Sequence, residues 1–224
     1  MLLNPQNKSI KNKLPTVREL WNIKFQKQEF GSNTTDEVYL SMGRALSKWE
    51  EIEGTFGKFF RIFIESKSIA GERAYCSMTS VSSRREVLLQ TARVYYDRRH
   101  HSDGKKILNI KDFELMLDHY QFGANFRNQI AHGLATPFLA NENGIDKNYG
   151  SFLVSSMFSK KSVVKNWDFW KQFGSGKMDK FGIFGHGYKY THNDIDRIFK
   201  IFETFSLLLN EMLVELEEYV KKIT

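Results

Sequence analysis

An arginine, an amide and a histidine lie within six positions in the stretch Phe126-Arg127-Asn128-Gln129-Ile130-Ala131-His132-Gly133. A guanidinium binds anions through a planar fork of donors, a carboxamide orients its neighbours, and an imidazole exchanges protons near neutral pH. On a helical wheel advancing about 100° per residue, Phe113, Met116, Leu117, Tyr120, Ala124, Ala131 and Leu134 share one apolar stripe. Arg127 falls inside the stripe and Asn128 at its edge. His132 falls outside it, on the polar side with Glu114, Gln121 and Asn125. A histidine on the core stripe would be read as structural; one turned away from its own core needs another explanation. Asn128 and His132, at i and i+4, occupy neighbouring turns of one face. Arg127 and His132 are about 140° and 7.5 Å apart on an ideal helix, so they flank a groove. A second surface is needed to make one compact site, and a copy of the same helix could supply it.

The elements that position this stretch follow from the periodicity. Residues 1–35 are polar and carry Pro5 and Pro15, and they read as an N-terminal arm. A short helix near Val17–Phe25 could dock through Leu20, Trp21 and Phe25. From Asp36 to about Ser66, Val38, Met42, Ala45, Leu46, Trp49, Ile52, Phe56, Phe59, Phe60 and Phe63 recur at helical steps. Residues 67–80 read as a connection. The next helix runs from about Val81 to His101, with Val81, Val87, Leu88, Ala92, Val94 and Tyr95 as its apolar positions. Its other faces carry Arg84, Arg85, Arg93, Arg98 and Arg99, which read either as a simply solvated face or as a basic surface that tracks phosphates. A helix from Asn109 or Lys111 carries the key stretch and stops between Gly133 and Pro137.

Residues 141–192 change texture, with many glycines and aromatics and short β-like runs at Ser151–Phe158 and Gly187–Thr191. They read as a loop-rich insertion with a small hairpin. Lys160 and Lys161 begin a run of lysines interleaved with Trp167, Phe169, Trp170, Phe173 and Phe181, a pattern that suits single-stranded nucleic acid. The alternative is that these rings cap the open end of a bundle. Gly174-Ser175-Gly176-Lys177 is no phosphate loop, because Lys171 stands at its first glycine position and Met178 replaces the Ser/Thr. A last helix, capped by Asn193-Asp194, runs to Lys222 with a strong apolar face from Ile195 to Leu216. The fold expected is all-α: an antiparallel up-and-down bundle of four long helices over 36–222, with the 141–192 loop/β-hairpin insertion before the last helix.

Bulk properties narrow the function classes. The chain has 224 residues, a formal net charge of +7 and a pI near 9.3, which permits a nucleic-acid partner without demanding one. The single cysteine, Cys76, rules out an internal disulfide and reads as a small hydrophobe. No Cys/His spacing suits zinc, and His100-His101 cannot share a helix face, so no metal or cofactor is expected. Met1–Pro15 has no signal-peptide core and no apolar run approaches a membrane span, so a cytoplasmic setting with no membrane partner is expected.

The run Arg127-Asn128-Gln129-Ile130-Ala131-His132 resembles the HEPN superfamily. Its members are up-and-down helical bundles with an Arg, often followed by Asn, and a His four to six residues on, late in a long central helix. The segment Ser83-Arg84-Arg85-Glu86-Val87-Leu88-Leu89 is also similar to the second helix of many such domains. The resemblance implies a metal-independent endoribonuclease acting on RNA in a toxin or antiviral-defence setting, with two motifs meeting across a homodimer. It implies that Arg127 holds the scissile phosphate, His132 serves in acid–base transfer, and Asn128 orients one or the other. Arg84, Arg85, Arg93, Arg98, Arg99, Lys160 and Lys161 are the expected RNA-binding residues. An antitoxin is a conceivable partner, but Leu134 stands where some toxins carry a modifiable tyrosine. The alternative implied by the same family is a non-catalytic RNA- or protein-binding and dimerisation module.

Overall fold

The computed structural model describes residues 14–25, 30–100, 109–142, 145–155 and 189–223. These are mostly helical: α1 (Val17–Leu20), α2 (Thr35–Phe63), α3 (Ala70–Cys76), α4 (Val81–His100), α5 (Ile110–Ala131) and α6 (His192–Ile223). A small antiparallel sheet of β1 (Gly133–Glu142), β2 (Ile145–Ser155) and β3 (Lys189–Tyr190) precedes α6 in the order β1-β2-β3. Among the described residues no helix is long and apolar enough to cross a membrane.

Reciprocal capping starts the two longest helices. The Thr34 hydroxyl accepts from the Glu37 amide at 3.2 Å while the Glu37 carboxylate accepts from the Thr34 amide at 3.4 Å, satisfying two donors that a helix start leaves orphaned. At α6 the cap is Thr191, not the expected Asn193-Asp194. Its amide and hydroxyl donate to Asp194 at 3.0 and 2.9 Å, so Asp194 is the third helical residue answering back. The end of α2 is less ordinary. The Glu65 amide donates to the Ile62 carbonyl and the Ser66 amide to the Arg61 carbonyl, a Schellman closure. Its left-handed position is held by Glu65, at φ 53°, where glycine is the usual occupant and any other residue costs about 1–2 kcal/mol.

The helices bury one continuous aromatic core, with Trp49, Phe56 and Phe59 of α2, Phe113 and Tyr120 of α5, and Phe202 and Phe205 of α6 at its centre. Trp49 stacks on Tyr120 at 5.5 Å and Phe63 meets Phe113 edge-on at 4.9 Å. A buried carboxylate sits inside this core. Glu53 accepts from the Trp49 indole at 3.1 Å and the Tyr120 hydroxyl at 2.9 Å, and Arg84 approaches it to 2.9 Å. All-apolar periodicity on α2 gave no sign of it.

Several boundaries differ from expectation. The 67–80 connection contains α3, whose Tyr75 packs against Phe60 at 5.9 Å. In α4 the buried residues are Leu88, Leu89, Ala92, Tyr95 and Tyr96, while Val94 is half exposed. The arm is partly anchored: Trp21 is buried against α5 and α6. The hairpin begins at Gly133, eight positions before the expected insertion, so helix passes into strand with His132 alone between them. Pro137, read as a stop signal, stands within β1. It lies where the strand register shifts, between Pro137 and Leu139, the kind of irregularity that tolerates a missing donor.

Candidate functional site

The expected site lies where α5 ends. Gly133 makes the turn from helix to strand feasible, because a Cβ there would come within 2.5 Å of Leu153 and 2.9 Å of the Gln129 carbonyl. Ile130 is buried in the core and Gln129 accepts from the Tyr190 hydroxyl of β3 at 2.6 Å. These two residues lock the last turn from both sides. His132 then caps the helix at φ −107° and ψ 6°, its amide donating to the Asn128 carbonyl at 3.0 Å. Its side chain is exposed, as its place on the wheel required.

The rest of the wheel needs correction. Ile130 belongs to the core, Ala131 is half-buried, and Leu134 is 53 % exposed in β1 because the chain has already left the helix. Arg127 is half-buried and not sunk in the stripe. It donates to the Asn128 side-chain oxygen at 3.2 Å and lies 3.8 Å from the Glu50 carboxylate, too far for a hydrogen bond. Asn128 is exposed. Arg127, Asn128 and His132 therefore reach solvent within two turns of one rigid helix end, and the guanidinium is only loosely engaged.

The basic face of α4 is not gathered there. Arg84 serves Glu53 and also donates to the Met78 and Cys76 carbonyls at 2.9 and 3.2 Å. Arg85 pairs with Asp118 at 2.7 Å, Arg93 with Glu114 at 2.9 Å, and Arg99 with Glu65 at 2.7 Å. Asp118 and His132 are 14 positions apart, roughly 21 Å along the axis of α5, so even Arg85 stands well away from the histidine. Arg98 is exposed near Ile64 and Val94, towards the other end of the molecule. Lys160, Lys161 and the interleaved aromatics after them lie outside the described residues.

On another face of the same helix end the fold gathers a cluster of rings whose grouping was not read from the sequence. Phe122 and Phe126 of α5 meet at 5.9 Å, Trp21 stacks on Phe126 at 6.0 Å, and Phe25 approaches Phe126 at 6.4 Å and Tyr190 at 5.0 Å. Phe25 and Phe122 are about two-fifths exposed. This aromatic surface shares the last turns of α5 with Arg127 and Asn128. The i, i+4 pair Phe122/Phe126 was visible in the sequence; its completion by Phe25, about 100 positions earlier, was not. Among the described residues, no three His, Cys, Asp or Glu side chains gather to hold a metal ion. Compared with known proteins, the chain matches no family model, no curated protein and no solved structure.

Proposed function

We propose that this protein is a metal-independent endoribonuclease of the HEPN kind, with Arg127, Asn128 and His132 as its catalytic residues and RNA as its substrate. The observation that carries the reading is the solvent-facing His132, fixed between a helix and a strand, with Asn128 and Arg127 accessible just before it. In this reading α2, α4, α5 and α6 are the up-and-down four-helix bundle, and the sheet is the insertion before the last helix.

The chemistry follows from the groups. The RNA 2′-hydroxyl attacks the adjacent phosphorus while an imidazole accepts its proton. The guanidinium of Arg127 holds the phosphate oxygens and offsets the charge that develops on them. The bond to the 5′-oxygen breaks, a protonated imidazole gives that oxygen a proton, and the products are a cyclic phosphate and a 5′-hydroxyl. Two imidazoles are used, one as base and one as acid, which is why the site is completed by a second copy of the chain. The exposed rings of Phe25 and Phe122 give unpaired bases a surface on which to stack. A toxin or antiviral-defence role goes with this reading, as does a cytoplasmic setting.

The test is cleavage of single-stranded RNA in EDTA by wild type, Arg127→Ala and His132→Ala. Wild type cleaves and both variants lose at least a hundredfold, while DNA of the same sequence stays intact. Equal cleavage by all three sinks the proposal. The second reading is a binding and dimerisation module without turnover that uses the same helix end. RNA retained by the wild type without any cleavage would establish it instead.

A further inference from the structure

A cleft of about 780 Å³ opens at the end of the molecule remote from His132. Tyr95 on its wall packs against Phe63 at 5.4 Å, and Phe63 in turn meets Phe113 in the first turn of α5; Phe113 to His132 is 19 positions, roughly 28 Å of helix. Its volume is that of a small-molecule site. Arg61, Lys67, Arg99 and Lys221 line it, against the carboxylates of Glu65 and Glu217. Two of the four cations are already held: Arg61 by Glu72 at 2.8 Å and Arg99 by Glu65 at 2.7 Å. Lys67 and Lys221 are exposed and have no ion-pair partner among the described residues.

Cations at the C-terminal ends of α2 and α6 are also what the helix dipoles favour, so charge alone would not make this a site. Glu65 adds an independent reason. It occupies the left-handed closing position of α2, where glycine would fit without strain, and its carboxylate is spent on Arg99. Arg99 is thereby laid over the Tyr95 ring at 5.2 Å, on the cleft wall. Strained backbone kept for the sake of one side chain points to an arrangement that matters beyond closing the helix. Tyr95 adds a polar demand, since among the described residues its buried hydroxyl has no hydrogen-bond partner. Ile62 and Val220 supply the apolar part of the lining.

We propose that this cleft binds a small organic anion, its charge between Lys67 and Lys221 and its apolar or ring-bearing body against Ile62, Val220 and Tyr95. The site is separate from the proposed RNA site and stands whether or not that site is catalytic.

The full chain is titrated by calorimetry with AMP, octanoate and inorganic phosphate. At least one organic anion binds saturably at one site per chain, and at least tenfold more tightly than inorganic phosphate, because phosphate leaves the apolar wall unused. Lys67→Glu with Lys221→Glu weakens that binding tenfold or more, while the matched reversal Arg44→Glu with Lys200→Glu, on distant exposed positions, changes it less than twofold. If the charge reversal prevents folding, Lys67→Gln with Lys221→Gln replaces it and weakens binding at least threefold. No saturable binding of either organic anion, equal affinity for phosphate, or equal loss in both variant pairs overturns the proposal.

Discussion

The indole N–H of Trp21 donates a 3.0 Å hydrogen bond to Nδ1 of His119, a residue 98 positions away. Nδ1 is therefore unprotonated, and Nε2, 2.9 Å from the Pro15 carbonyl, is the nitrogen that carries the hydrogen. The pair fastens the arm to α5, and it works only while the imidazole is neutral.

That dependence gives a pH prediction. Burial is the main influence on His119 and pushes its pKa below the ordinary value, the Pro15 carbonyl opposing. The unfolded chain then binds a proton more readily than the folded one, so stability rises with pH. The contribution is complete above the unfolded imidazole value of about 6.5 and is lost as pH falls from there through the lower folded value. Urea unfolding between pH 8 and 5 should show the decline, and His119→Gln should flatten it. An unchanged slope in the variant would assign the decline to other groups.

Gly123 is the floor on which Trp21 rests. A Cβ there would come within 2.5 Å of Trp21 and 2.8 Å of Trp49, two rigid rings with nowhere to retreat. Gly123→Ala should destabilise by about 2 kcal/mol, in the range of overpacked cores, and should displace Trp21. Denaturation and a red-shifted tryptophan emission measure both effects.

The arginines of α4 separate into two kinds. Arg84 compensates Glu53 inside the core, and removing it leaves a buried charge, so Arg84→Ala should cost about 3 kcal/mol. Arg93 pairs with Glu114 in solvent, and Arg93→Ala should change stability by less than about 0.5 kcal/mol. Replacing Glu53 with Gln in the Arg84→Ala background should recover much of the loss. Equal costs for the two alanine variants would contradict the assignment.

Glu65→Gly relieves a left-handed backbone and forfeits one partly exposed ion pair with Arg99. The two effects nearly balance, so the unfolding free energy should stay level or rise by up to about 1 kcal/mol. A clear fall would show that the carboxylate carries more of the structure than its geometry suggests.

The ring surface on the last turns of α5 gives a binding prediction. Phe25→Ala with Phe122→Ala should weaken single-stranded RNA binding at least tenfold, stacking being worth about 1–3 kcal/mol per base. Because both rings are partly exposed, folding should survive. Filter binding with wild-type thermal unfolding as the control would test it; unchanged affinity would remove stacking from the proposed function.

The periodic elements were legible because a helix repeats its neighbours locally. The α2 stripe from Val38 to Phe63 and the α6 stripe from Ile195 to Leu216 could be read off at three- and four-residue steps, and so could the outward turn of His132. Helix ends and strands were less legible. Pro137 carries the same local signal whether it stops a chain or sits at a strand irregularity, and only pairing with β2 distinguishes the two.

The order of residues along the chain was enough to establish which helix carries Arg127 and Asn128 and ends at His132, and that the histidine faces away from the core. Folding alone decided what stands beside them. It sent Arg84 inward to Glu53, tied Arg85 and Arg93 to α5, and brought Phe25 to Phe126 across about 100 positions. A helical face depends on spacing within a few residues, but a charge's partner and a ring's neighbour depend on which distant segments pack together.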